Sequence, residues 1–538
     1  MNRRGCLECR SAWATLWCAT VSVFVAFTSG CNRSSEQGAP RRGPSSQIKA
    51  QGGLFDSVVE NLDRLEQFDP SQMLPQICDR LNQWYVQDKP KIDWKLDPLV
   101  EGLPDELRNL SAVKDSDLMK YRLPDAWYLQ ESVWLRDISR VARRDQFEDL
   151  AVAERLFDWT VRNIQLEPDA AIEDARQNHR RPYETLLLGR GQAVDRAWIF
   201  ILLARQQGLD VVLLGLADGS GNMVRAWLPA LVVGGELYLF DCRLGLPIRG
   251  PAGRGVASLA QLMADPQLLR QLDLDSQHVY PVGPEDLKHV VANIEGSPSN
   301  LSRRMALVES RLTGKHKIAL TSPGSALADR LKGIPQLAEV KLWPLPFEIW
   351  LWQSKLNDEG MKAAARDMMV FQMIPTLMQG RALYFKGLYD GDKGANKSFL
   401  NARPPNTMIA DWKLSPDAAK QVKREDISRV EAAQVLLLQQ AKQSASFWLG
   451  LVAFERQDYA SAIDWFGKRT LEATPNGPWS PAARYNLART YEARGELDRA
   501  IAIYEADNSL QSHGNKLRAR QLKEQQAKAK TGENAAVK

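Results

Sequence analysis

Residues 446–466 and 484–504 are two copies of one pattern, and that repeat constrains the fold more than any other feature of the chain. Leu487 stands 38 residues after Leu449, and the small residues Gly450 and Ala462 recur in step as Ala488 and Ala500. Small residues at such places let the two helices of a unit approach closely, and Pro475 supplies a stop before the second unit. A single helix pair cannot cover its own apolar face, so about three or more units must stack. An earlier stretch, from Gly380 through Gly394 and Phe399 to Arg403, reads as a degenerate third unit. From about residue 360 onward the expectation is a helical solenoid.

A chain of 538 residues is too long for one core, and its length suggests about three to four domains. Hydrophobic residues at 44% and charged residues at 25% are ordinary for globular protein. The formal charge of +5 falls to +3, 67 basic minus 64 acidic, once residues 1–30 are set aside. With no global basic field to attract phosphates, nucleic acid is not expected as a partner. The basic residues Lys516, Arg518, Arg520, Lys523, Lys528 and Lys530 read as a solvated helix end, with 523–538 a disordered tail.

The N-terminus carries Arg3, Arg4 and Arg10, then a largely apolar run over 12–27, then Thr28, Ser29, Gly30 and Cys31. A positive start, a short apolar core and a small-residue exit make an export signal over residues 1–30. The run is shorter than the roughly 20 residues a membrane-spanning helix needs. Its ending resembles a bacterial lipoprotein signal, which implies lipidation of Cys31 and a membrane-anchored place in the cell envelope. Residues 31–53 are rich in Ser, Gly, Pro and Gln and read as a flexible tether. Cys6 and Cys9 have zinc-like spacing but no second pair, and Cys31, Cys78 and Cys242 are too few for a disulfide framework.

The pattern over 54–148 is helical, with apolar residues every three or four positions. Over 149–275 it changes. Leu150, Val152, Ala153, Leu156, Phe157, Trp159 and Ile164 continue the helical spacing, and 197–204 is an apolar run stopped by Gly208, fitting a buried helix. Residues 211–214 read as a strand, and 226–233 with 236–241 as a hairpin about Gly234 and Gly235. Residues 276–358 read as a small α/β piece: a strand over 317–321, a helix opened by Ser322 and Pro323 and ending near Gly333, and a strand over 340–343. Trp343, Phe347, Trp350 and Trp352 are expected in its core. The repeats occupy 359–522.

Residues 150–245 resemble the transglutaminase-like superfamily of papain-like fold. The resemblance lies in the order of Ala153 to Ile164, Glu184 to Ala197, Gly208, Arg225-Ala226-Trp227 and Phe240-Asp241. It implies a nucleophilic cysteine two residues after Gly191, at a helix start where the dipole and a histidine would lower its pKa. That residue is Ala193, whose methyl cannot attack a carbonyl. The implied base, a histidine before an Ala-Trp pair, is Arg225, a guanidinium that stays protonated. The implied orienting carboxylate is retained as Asp241, and Arg225 and Asp241 are expected to form a partly buried ion pair. The units at 446–466 and 484–504 resemble tetratricopeptide repeats, which implies a peptide-receiving concave surface.

No other residue fits the missing roles. Cys242 follows Asp241, so its side chain should turn to the opposite strand face. Cys78 has no neighbouring histidine, and His179, His278, His289, His316 and His513 are scattered. Ser220 lies in a glycine-rich turn, and no metal-spaced cluster or phosphate-binding loop occurs in the sequence. The expected class is α+β and multidomain: a helical N-terminal region, a transglutaminase-like domain, a small α/β piece and a tetratricopeptide-type solenoid. The expected function is non-catalytic. The body would bind proteins or peptides through its repeats and the membrane through its anchor, with no cofactor and no metal. The rival expectation is an active cysteine hydrolase or acyltransferase acting on protein or peptidoglycan amides.

Overall fold

Gly234 and Gly235 both take positive φ, +60° and +82°, the two-residue turn that matches the twist of a hairpin. They join β4 (Met223–Val233) to β5 (Glu236–Asp241) in the register Val233 opposite Glu236. With β3 (Val211–Ala217), β6 (Leu246–Pro247), β7 (Val290–Ile294) and β8 (Glu339–Leu342) they form one mixed six-stranded sheet, ordered β6-β5-β4-β3-β7-β8. Only β7 and β8 run parallel. A separate parallel pair joins β1 (Gln165–Leu166) to β2 (Arg190–Gly191).

This computed structural model describes residues 53–531 except 69, 170–179, 219–222, 358–359 and 361–364. Cys31, most of the tether, His179, Ser220 and the last residues of the basic tail lie outside the described residues. The class is α+β, largely helical around the mixed sheet.

The main helices, in order, are α1 (Pro70–Asp88), α2 (Leu123–Arg143), α3 (Asp149–Asn163), α4 (Pro182–Leu188), α5 (Ala193–Gln206) and α6 (Gly324–Leu331). Then follow α7 (Pro375–Phe385), α8 (Ala395–Asn401), α9 (Ile427–Glu455), α10 (Tyr459–Ile463), α11 (Ser480–Ala493), α12 (Leu497–Glu505) and α13 (Ser512–Thr531). The chain divides into two compact units: 403–442 falls in one, and 52–402 with 443–538 forms the other. In the first, Lys442 Nζ donates to Pro404 O at 2.9 Å and Glu431 pairs with Lys413 at 2.9 Å.

In the larger unit, helix α5 is apolar almost all round because it is buried almost all round, from Ala197 to Ala204. Phe200 on it meets Phe157 of α3 and Phe240 of β5, with ring centroids 5.4 and 5.1 Å away, so these three elements share one aromatic core. Residues 276–358, set apart by their sequence, contribute β7 and β8 to the same sheet, through Leu213–Asn293 and Val291–Glu339 pairings. The expected strand over 317–321 is absent. Its backbone is spoken for by side chains: Gln206 bonds both ways with Ala319, Tyr128 donates to Leu320 O at 2.7 Å, and Thr321 N donates to Glu309. Trp343 and Phe347 are buried as expected, whereas Trp350 and Trp352 remain partly exposed.

The 38-residue pattern is a structural repeat. A Cβ on Gly450 would lie 2.4 Å from the Phe466 ring, so the glycine sets how near the two helices come. Phe466 meets Phe447 at 5.7 Å, and 38 residues on Tyr504 meets Tyr485 at 6.2 Å. The turns match too: Gln457 and Gly495 occupy equivalent places, both with positive φ. The third stretch has the same device, since a Cβ on Gly380 of α7 would lie 2.5 Å from Phe399 of α8. Helix α12 packs on α11 and α13 on α12. Part of the expected tail, 523–531, is therefore helical, with Leu517, Ala519 and Leu522 of α13 buried and Lys523 paired with Glu505 at 2.5 Å. Other parts of the chain also rest on these helices. Asn486 of α11 donates to Arg162 O at 3.0 Å, Gln165 bonds to Pro478 O and Ala482 N, and Gly189 sits against Trp448 and Trp479.

Candidate functional site

Ala193 is the first residue of α5, as the spacing implies, and it is half-buried. The helix start is held by Asp195, whose carboxylate accepts from Gln192 N at 2.8 Å. Gly191 is required sterically, because a Cβ there would lie 2.8 Å from Asp195 Cβ. One turn inside, the buried Arg196 donates to Ile164 O at 2.8 Å and to Cys242 O at 3.0 Å. The first turn of α5, the end of α3 and the end of β5 therefore converge, and β4 begins where antiparallel β5 ends.

The expected ion pair between Arg225 and Asp241 does not form. Arg225 is exposed, donates to Pro281 O at 2.7 Å and approaches the Asp286 carboxylate at 4.0 Å. Asp241 is buried and committed elsewhere: Oδ1 accepts from Arg243 N and Leu244 N, both at 2.8 Å, and Oδ2 accepts from Tyr280 Oη at 2.6 Å. Tyr280 accepts in turn from Trp227 Nε1 at 2.9 Å. Burial raises the Asp241 pKa, with the three hydrogen bonds opposing it, and burial beside Asp241 pushes the Tyr280 phenol well above its ordinary value. The physical reason the ion pair fails is competition: Tyr280 brings a phenol and two adjacent amides bring N–H donors to a buried acid that would otherwise need a desolvated guanidinium.

Neither described cysteine is activated. Burial pushes the Cys78 thiol up to about 12 and the Cys242 thiol further, Asp241 adding to the latter. His278 lies 2.9 Å from Asp275, His316 2.7 Å from Asp63, and His513 donates to Leu272 O at 2.7 Å. Among the described residues no group of three or more His, Cys, Asp and Glu is placed to hold a metal, and no helix is long and apolar enough to cross a membrane.

Comparison with protein-family models, with curated proteins and with solved structures finds no match.

A second constellation was not foreseen from the sequence. Arg144, Glu455, Arg162, Asp158, Arg489, Glu492 and Arg518 alternate in sign along one continuous chain of ion pairs, with successive contacts of 3.3, 2.7, 2.8, 2.5, 2.8 and 2.7 Å. It ties α3 to the end of α9, to α11 and to α13. Burial opposes ionisation of Asp158, but Arg489 and Arg162 outweigh it and hold its carboxyl well below the usual range. Glu492 is likewise depressed, burial being outweighed by Arg489 and Arg518. A pocket of about 230 Å³ opens beside this chain, lined by Arg144, Arg155, Arg162, Arg489, Phe454 and Tyr459 among others. The local hints in the sequence are Asp158 four residues before Arg162 and Arg489 three residues before Glu492, each pair on one helix face.

Proposed function

We propose that this chain is a non-catalytic, envelope-anchored binding protein, built on a degenerate transglutaminase-like core and tetratricopeptide-type repeats. The observation that carries the reading is the state of the three implied catalytic positions. A methyl stands at the helix start, a guanidinium faces a backbone carbonyl, and the remaining acid is spent on a tyrosine and a turn. Acyl transfer needs a nucleophile and a base within hydrogen-bond reach of each other. The order helix, strand, strand with the positions converging supports descent from such a core, and the matched glycine–aromatic helix pairs support the repeat assignment. The rival, an active cysteine enzyme, would have to use Cys78 or Cys242, both buried and both shifted away from thiolate.

Because Arg162, Gln165 and Gly189 of the same chain lie on the repeat helices, partner binding is assigned to the remaining surface and to the pocket beside α3. The lipid anchor on Cys31 remains part of the proposal. Assaying purified full-length protein for transamidation, peptidase and amidase turnover tests the non-catalytic reading, and recovery of a partner from envelope extract tests the binding half. Turnover above background would end the first. For the anchor, Cys31→Ala should release the protein from membranes or leave it unprocessed, and a mature chain without an acyl group at residue 31 would end that idea.

A further inference from the structure

We infer that the pocket at the Arg144 end of the ion-pair chain receives a carboxylate of a peptide ligand. The inference rests on the binding-protein reading and names the chemistry of its site. The alternating chain begins and ends on arginine, and at the Arg144 end the next place in the alternation belongs to an acid. Among the described residues Arg144 has one carboxylate partner, Glu455, which it shares with Arg162. Arg155 lines the same pocket, is exposed, and makes no ion pair with any described residue. Four arginines against Asp158, Glu455 and Glu492 leave the lining one positive charge in excess. A guanidinium is suited to a carboxylate, and here Asp158, Glu455 and Glu492 each lie between two arginines.

A second observation comes from the backbone. Arg144 closes α2 with φ +53° and ψ −132°, a region that favours glycine, yet an arginine stands there with its guanidinium directed to Glu455. The volume, about 230 Å³, is below the roughly 300–1,000 Å³ of sites that enclose a whole small ligand. It suits the end of a molecule, with the half-buried Tyr459 at its wall for the apolar stem. An acidic side chain and a C-terminal carboxylate offer the same chemistry.

Calorimetric titration of the full chain in detergent separates the sources. Three probes serve: N-acetyl-Ala-Ala-Glu amide, N-acetyl-Ala-Ala-Ala with a free C-terminus, and N-acetyl-Ala-Ala-Gln amide. The first or second binds and the third does not, and whichever acid binds names the source. Arg155→Ala, at an exposed position, leaves the thermal midpoint unchanged and weakens that binding at least tenfold. Arg144→Gly weakens it equally, and Arg155→Lys restores part of the loss. The inference is overturned if neither acid binds better than the glutamine amide, or if the Arg144→Gly, Arg155→Ala double variant binds as tightly as the unmodified protein. That last result would leave a binding protein with another site, whereas amide turnover would sink the non-catalytic reading without touching this titration.

Discussion

Gly450→Ala isolates what holds a repeat unit together. The added methyl would lie 2.4, 2.6 and 2.8 Å from three carbons of the Phe466 ring, where ordinary contact begins at 3.4 Å, so the ring must retreat by about 1 Å. Phe466 is fully buried against Phe447 and has no open side to move toward. Overpacking of this kind costs about 1–3 kcal/mol. Alanine returns about 1 kcal/mol through its better helix propensity, so the net loss is up to about 2 kcal/mol. Gly467, one residue beyond Phe466, is the control: a methyl there meets nothing within 4 Å, and Gly467→Ala should be neutral or stabilising by up to about 1 kcal/mol. Gly380→Ala, 2.5 Å from Phe399, should behave like Gly450→Ala. Urea midpoints of the full chain, with hydrogen exchange over 443–505, read both the loss and its location. If Gly450→Ala is as stable as the unmodified protein while Gly467→Ala shows no gain, the close helix contact is not what the glycine provides.

Two further predictions concern charge. Glu131 of α2 accepts from Tyr183 N at 2.9 Å, and burial pushes its carboxyl from an ordinary 4.5 up to about 8. The folded state therefore holds more protons than the unfolded one between those values, so this group lets stability fall as pH rises through that window, and Glu131→Gln should flatten the fall in thermal midpoint. Asp158 has the opposite sign: its folded pKa is depressed, so its contribution is present above pH about 4 and fades in acid. Arg162→Met, which leaves Glu455 to Arg144 alone and Asp158 to Arg489 alone, should cost about 1.5–3 kcal/mol at neutral pH and less in acid, measured by urea unfolding. An Arg162→Met protein as stable as the original would show that the buried ion-pair chain does not stabilise the fold.

What was legible in the sequence was local. The hairpin could be read because Gly234 and Gly235 allow a turn that few other pairs allow, and α5 because an apolar run ends at Gly208. The repeat was legible because Gly450 and Phe466 are echoed 38 residues on by Ala488 and Tyr504. What escaped depends on distant partners. Residues 317–321 have strand-like composition, but Gln206, Tyr128 and Glu309 capture their backbone. Tyr280 takes Asp241 from 39 residues away, and Arg162 reaches Glu455 across 293. Nothing in the local pattern marks either pair, because each arises only when separate helices and strands are already packed.

The claim that the three implied catalytic positions no longer perform acyl transfer is tested most directly by amide turnover of the unmodified, purified protein, with Cys78→Ser and Cys242→Ser measured beside it. The account predicts background rates for transamidation, peptidase and amidase substrates in all three proteins, and no labelling of Cys78 or Cys242 by thiol-directed probes under native conditions. Robust turnover that Cys242→Ser or Cys78→Ser abolishes would contradict it and make the chain an enzyme with a different nucleophile.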